Sequence, residues 1–150
     1  MSTDKGFENL VTILKATNKS LSNSLGTGAV AVMKQAGNVA SSMIFPDLPS
    51  GKTTEEALEI VAEGIKSLGS FGEVNLVGAE ENEYNINFHS CIFSTLLTGE
   101  MQCGKSAFCY FGFGLVEESI KRMTGKRCRI TFNSRNDASD ICDETIKFFD

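Results

Sequence analysis

KSAFCYFGFGLVEESIKRMTGKRCRITF, residues 105–132, changes its apolar period from 3.6 to 2 within a few residues. Cys109, Phe113, Val116, Ile120 and Met123 fall on one face of a helix predicted from Lys105 to Thr124. Gly125 follows, the residue type that most readily ends a helix in a left-handed conformation. Cys128, Ile130 and Phe132 then alternate with polar residues, as on a strand with one buried face. A helix that runs almost directly into a strand excludes an all-helical bundle and an all-strand sandwich.

The same two periods recur on either side. Val74 and Leu76 alternate with polar residues, Gly78 to Glu83 reads as a turn, and Tyr84, Ile86 and Phe88 alternate with Asn85, Asn87 and His89, which predicts a hairpin. Downstream, Asn133 to Asp140 is a polar loop and Thr145 to Phe149 a closing strand. Residues 92–104 carry no clear period, with Leu96 and Leu97 apolar and a break at Thr98-Gly99. Upstream lie three helices. Phe7, Leu10, Val11 and Leu14 mark the first, over residues 4–17. Leu25, Ala29, Val32, Ala36, Ala40 and Met43 form a stripe on the second, from Asn23 to Ile44. Gly26, Val30, Met33 and Gly37 lie beside that stripe, and so many small residues fit either a dimer contact or a tightly packed core. Thr53 with Glu56 is a capping box, and it opens a third helix that buries Leu58, Val61, Ile65 and Leu68 before Gly69. The order predicts an α+β fold: N-terminal helices packed on an antiparallel sheet of about four strands, with one helix between two hairpins.

With 150 residues, 41% of them hydrophobic, the chain is expected to form a single domain over residues 1–150. Its net charge of −5 disfavours nucleic acid. The local basic cluster Lys121, Arg122, Lys126, Arg127 and Arg129 sits where cations complement a helix C-terminus. No apolar run reaches the roughly 20 residues of a membrane span. The polar opening Met1 to Lys5 predicts no secretory signal, so a cytoplasmic location is expected. Five cysteines in a reducing compartment read as thiols or metal ligands rather than a disulfide framework.

Continued straight, the second strand would point His89 and Cys91 to its polar face. Zn²⁺ takes imidazole and thiolate ligands, and His89, Cys91, Cys109 and Cys142 would supply four. Each also has a plainer reading: cysteine packs as a small hydrophobe, and a histidine on a polar strand face is solvated or hydrogen-bonded. Cys103, in a predicted loop, could be an exposed reactive thiol. Gly112-x-Gly114 lies inside a helix with no preceding strand, which removes the dinucleotide reading. Glu117 and Glu118 are expected to pair along the helix with Lys121 and Arg122. No catalytic constellation is visible, and catalysis is not expected.

Cys109, Gly114, Gly125, the strand Arg129 to Phe132, and Asp140 with Cys142 together resemble the 4-vinyl reductase, or hydrocarbon-binding, domain family. Ala36-Gly37 is similar to that family's entry helix. Its fold is similar to that of TRAPP trafficking subunits and haem-dependent nitric-oxide-binding domains. The resemblance implies a small-molecule-binding sensory domain, in some members with zinc held by cysteines. Cys109 and Cys142 match two of these, and an upstream ligand falls near His89 or Cys91. A further family cysteine falls within residues 133–136, where this chain has Asn-Ser-Arg-Asn. The resemblance also implies an apolar cavity between helices and sheet, with Phe88, Phe93, Phe108, Phe111, Phe113, Phe132 and Phe148 as candidates to line it. The expected partners are an unidentified apolar small molecule and a second copy of the chain. Two other readings stand beside this one: a TRAPP-like assembly homodimer without ligand, and a thiol redox sensor using Cys103 with Cys91 or Cys109.

Overall fold

The computed structural model describes residues 2–69, 71–96 and 106–149. Three helices come first, α1 (Ser2–Leu25), α2 (Gly28–Ile44) and α3 (Thr54–Ser67). A hairpin of β1 (Glu73–Glu80) and β2 (Glu83–His89) follows, then the short α4 (Ile92–Leu96) and the long α5 (Ala107–Thr124), and a closing hairpin of β3 (Arg127–Asn136) and β4 (Ile141–Phe149). The strands form one antiparallel sheet in the order β1-β2-β4-β3, so the two hairpins meet along β2 and β4. The α+β architecture predicted from the period changes is the one observed.

Local signals place the ends of the helices. At the start of α3, Thr53 Oγ1 accepts from the Glu56 N–H at 3.2 Å while Glu56 Oε1 accepts from the Thr53 N–H at 3.1 Å, the reciprocal capping box. Gly125 caps α5 at φ 75°, a conformation that a Cβ makes costly. The first two helices divide later than predicted. α1 continues to Leu25, and Gly26 at φ 55° makes the break, because residues 18–25 keep helix-compatible residues and bring Leu21 under Leu14's face.

The core lies between α3, α5 and the inner face of the sheet, where Ile65, Ile86, Ile120, Met123 and Ile146 are fully enclosed. Each such side chain stabilises the fold by about 1.5–3 kcal/mol relative to exposure. α2 packs on the back of α5 with a rotation the sequence stripe did not predict. Its buried residues are Ala29, Met33, Gly37, Ala40 and Ser41, whereas Val32 and Met43 face outward. Glycine decides this: a Cβ on Gly37 would lie 2.7 Å from the Leu115 nitrogen, and one on Gly114 would overlap the Lys34 carbonyl. The two backbones therefore approach as only glycines permit, and the larger apolar residues of α2 are turned away.

Polar contacts lock the same crossing. Ser41 and Ser119 hydroxyls lie 2.7 Å apart in a fully buried pair, and Ser119 donates on to the Leu115 carbonyl. Arg122 donates to the Ser41 and Phe45 carbonyls at 3.0 and 2.8 Å, satisfying acceptors that the end of α2 leaves open. Glu117 does not take part in the expected pairing along its own helix. It is buried, forms an ion pair with Lys34 of α2 at 2.9 Å, and accepts from the Ile130 N–H at 2.9 Å, so α2, α5 and β3 meet on one carboxylate.

Candidate functional site

Between the N-terminal half of α5 and the inner sheet face the packing leaves a cavity of about 40 Å³. α5 contributes Cys109, Gly112, Phe113 and Val116, and β2 contributes Ile86 and Phe88. Ile130, Cys142 and Glu144 close it from β3 and β4, and Phe71, Cys91 and Phe93 from the segments flanking the first hairpin. Of the aromatic residues expected to line it, Phe88, Phe93 and Phe113 do so. Phe108 and Phe111 instead pack on Phe93 outside the wall, with ring centroids 5.2 and 5.7 Å from it. Phe132 packs against the main core, and Phe148 meets Tyr84 edge to face at 5.6 Å. Phe71 and Glu144 belong to the wall without having been singled out by the sequence.

Strand parity explains which thiols arrive here. Directly paired residues of neighbouring strands point to the same side, and Phe88 pairs with Cys142 while His89 pairs with Ile141. Cys142 thus faces the cavity and His89 the opposite side of the sheet. Cys91 does not follow His89, because the strand ends and Ser90 takes the left-handed conformation at φ 53°, which turns the chain inward. The structure brings Cys91, Cys109 and Cys142 to one cavity and leaves His89 out of it. Cys103 and the predicted break at Thr98-Gly99 lie outside the described residues.

A bulge sets the surroundings of Cys142. β3 and β4 pair Phe132 with Glu144 and then Ser134 with Asp143, so Asn133 is the extra residue and the parity of β3 reverses beyond it. Arg135 is thereby paired with Cys142 and shares its face. Its guanidinium donates to Cys142 Sγ at 3.3 Å and to Asp140 Oδ1 and Asp137 Oδ1 at 2.7 Å each. Ser94 of α4 also donates to Asp140 Oδ1, at 3.2 Å, which fastens α4 to the turn between β3 and β4.

These residues do not fit the expected zinc. A guanidinium, charged at all relevant pH, stands on Cys142 in the segment where the resemblance places a further metal-binding cysteine. Among the described residues no three His, Cys, Asp or Glu side chains are grouped so as to hold a metal ion. The remaining thiol, Cys128, has its pKa pushed up to about 12, first by burial and then by the nearby Glu117 carboxylate, so it is inert packing.

Glu144 is the polar anomaly of the wall. β4 turns Cys142, Glu144, Ile146 and Phe148 to the core in strict alternation, which puts a carboxyl group between apolar rows. Burial, and secondarily the adjacent Asp143, push its pKa up to about 8. At neutral pH it is chiefly an uncharged acid.

No protein-family model and no curated relative matches the sequence. Solved structures do match. The crystal structure of the phenol-responsive sensory domain of the transcription activator PoxR with phenol is similar at a TM-score of 0.65 with 13% identity, over 91% of this chain and 73% of that one. An H-NOX structure described for its activation mechanism is similar at 0.55, and a point mutant of the T. tengcongensis H-NOX at 0.54. Each of these is 16% identical, over 86% of this chain and 68% of the other. At such identities the likeness is one of fold: this chain has the architecture of these sensory and H-NOX domains. No helix among the described residues is long and apolar enough to cross a membrane.

Proposed function

We propose that this chain is a small-molecule-binding sensory domain, of the 4-vinyl reductase kind, that takes a compact and largely apolar ligand into the cavity between α5 and the sheet. The observation that carries this reading is the cavity itself: aromatic and aliphatic walls with one convergent polar group, in a fold shared with a phenol-responsive domain. Zinc has no part in this reading, because Arg135 already satisfies Cys142 and His89 lies across the sheet.

The size of the cavity gives the mechanism. Its 40 Å³ is room for about one water, whereas an apolar cavity that takes benzene measures about 150 Å³. A ring-sized ligand must displace wall side chains, and Phe93 is itself a member of a second apolar cluster, built with Ala29, Met33, Ala107 and Phe108, against which the wall residues Phe71 and Cys91 and the α1 residues Leu14 and Leu21 also pack. Occupancy therefore favours one packing of α1 and α2 over another, a population shift. Outside that cluster α1 leaves Phe7, Leu10 and Ile13 more than half exposed, and α2 leaves Val32, Val39 and Met43 outward. Apolar rows of this kind fit a second copy of the chain as the partner that reads the shift.

Native mass spectrometry of untagged protein, followed by solvent extraction, tests both parts. A dimer carrying a small apolar mass that extraction releases is the expected result. A dimer that stays empty when offered phenol and toluene supports the TRAPP-like assembly reading instead, and a monomer removes the dimer.

A further inference from the structure

Five polar or charged side chains are buried among the described residues, and four of them have visible partners. Asn18 accepts from Ser106, Ser41 and Ser119 bond to each other, and Glu117 holds Lys34 and the Ile130 N–H. Glu144 is the fifth. It is 6% exposed, paired between Ile86 of β2 and Phe132 of β3 in the middle of the sheet, and its carboxyl has no hydrogen-bond or ion-pair partner among the described residues. Nor are its oxygens sealed in protein: among the described residues no buried side-chain oxygen lacks both a partner and open space, so the carboxyl opens onto the cavity it lines. A buried polar group left open in this way is matched to something outside the chain.

We propose that Glu144 is the specificity-determining residue of the cavity, selecting compact ligands that carry one uncharged hydroxyl over bare hydrocarbons and over anions. The proposal rests on the ligand-binding reading above and adds to it the polar half of the ligand. A carboxyl facing the cavity accepts a hydrogen bond from a ligand hydroxyl whatever its own protonation, and a bare hydrocarbon has none to give. An anionic ligand meets no cation among the described residues of the cavity wall, and Arg135 is engaged with Cys142, Asp137 and Asp140. A bare hydrocarbon leaves the carboxyl unpaired and its desolvation uncompensated.

The test uses phenol, toluene and benzoate as probes of similar ring size, with affinities from calorimetry or ligand-observed NMR on the whole chain. Wild type is expected to bind phenol at least tenfold more tightly than toluene and to reject benzoate. Glu144→Leu is expected to lose that preference, with phenol weakened tenfold or more and toluene bound at least as well as before. Glu144→Gln, which keeps a donor and an acceptor in place, retains most of the preference. Glu144→Met serves the same comparison should the leucine variant not fold. Equal phenol affinity in wild type and in the apolar variant overturns the proposal while leaving the ligand site standing. Failure of wild type to bind either phenol or toluene overturns the ligand-binding reading as well.

Discussion

Replacing Glu144 by glutamine should change how stability depends on pH, and the structure fixes both the sign and a ceiling. The carboxyl rises from an ordinary value of 4.5 to about 8 on folding, chiefly through burial. Between those two values the folded chain holds a proton that the unfolded chain has released, so unfolding becomes easier as pH rises. Below 4.5 both states are protonated and the group contributes nothing. Above about 8 both are ionised, and the full penalty of a buried carboxylate is present. At about 1.36 kcal/mol per unit the ceiling is about 5 kcal/mol, reduced to the extent that a charged Glu144 draws water into the cavity. Few other groups confuse the reading. Ile86, Phe132, Phe113 and Val116 face the carboxyl from the neighbouring strands and α5, the Cys109 and Cys142 thiols share its cavity, and Asp143 adds its charge from the same strand. Urea unfolding followed by far-UV circular dichroism at pH 5, 6, 7, 8 and 9 measures the difference between Glu144→Gln and wild type. That difference should grow steadily in favour of the glutamine variant up to about pH 8 and then level off. A difference that stays flat across the series refutes the reasoning, because it means that Glu144 ionises as freely folded as unfolded.

Other outcomes follow from the packing. Gly114→Ala drives a methyl into the Lys34 carbonyl and should destabilise by about 2–3 kcal/mol, lowering the melting temperature by roughly 5–10 °C. Gly112→Ala, with no atom within 4 Å of the new methyl, should instead stabilise by up to about 1 kcal/mol in the same calorimetric scan. Lys34→Met strands Glu117 in the α2–α5 crossing and should cost about 2 kcal/mol by urea titration, discounted because Lys34 is partly exposed; adding Glu117→Gln should recover part of the loss. Thr53→Ala removes the capping box and should cost about 1 kcal/mol, seen as a shift in the urea midpoint with an unchanged slope.

What the sequence disclosed was whatever a few neighbouring residues decide among themselves. The switch from Met123 to Cys128 in apolar period, the Thr53 and Glu56 box, and the alternation along residues 84–88 are local, and each named its element correctly. The rotation of α2 was not local. Two stripes of small residues lay side by side on it, and only the meeting of Gly37 with the backbone of α5, some 75 residues on, chooses between them. The site shows the same division. The left-handed Ser90 and the extra residue Asn133 each reverse strand parity once, turning Cys91 inward and bringing Arg135 onto Cys142. Neither carries glycine or proline to announce it. Glu144 did leave a signal, since Cys142, Glu144, Ile146 and Phe148 share one parity and a carboxylate interrupts an apolar row. The closing strand was predicted to start at Thr145, one residue too late to show it.

The location of the rigid contacts limits how ligand binding can be felt elsewhere. α5 forms one wall of the cavity, but its far side is held to α2 by backbone contact at Gly37 and Gly114, by the Ser41 and Ser119 pair, and by the Glu117 ion pair. The sheet wall is held by continuous strand pairing from β1 to β3. Neither wall can yield without breaking several of these contacts at once. The remaining wall, Phe71, Cys91 and Phe93, lies outside the sheet and α5, tied by the Ile92 N–H to the Phe71 carbonyl at 2.9 Å, the Ser90 N–H to the Asp140 carbonyl at 3.1 Å, and Ser94 to Asp140. Phe93 also touches Phe71, Phe108 and Phe111 through ring contacts, which can slide without leaving a polar group unpaired. On the sensory reading, a ligand makes its room at this wall, and the displaced ring presses on the cluster that seats Leu14 and Leu21 of α1. On that reading the signal leaves through α1, which keeps Phe7, Leu10 and Ile13 more than half exposed to offer a partner, while the α2–α5 crossing serves as the fixed frame.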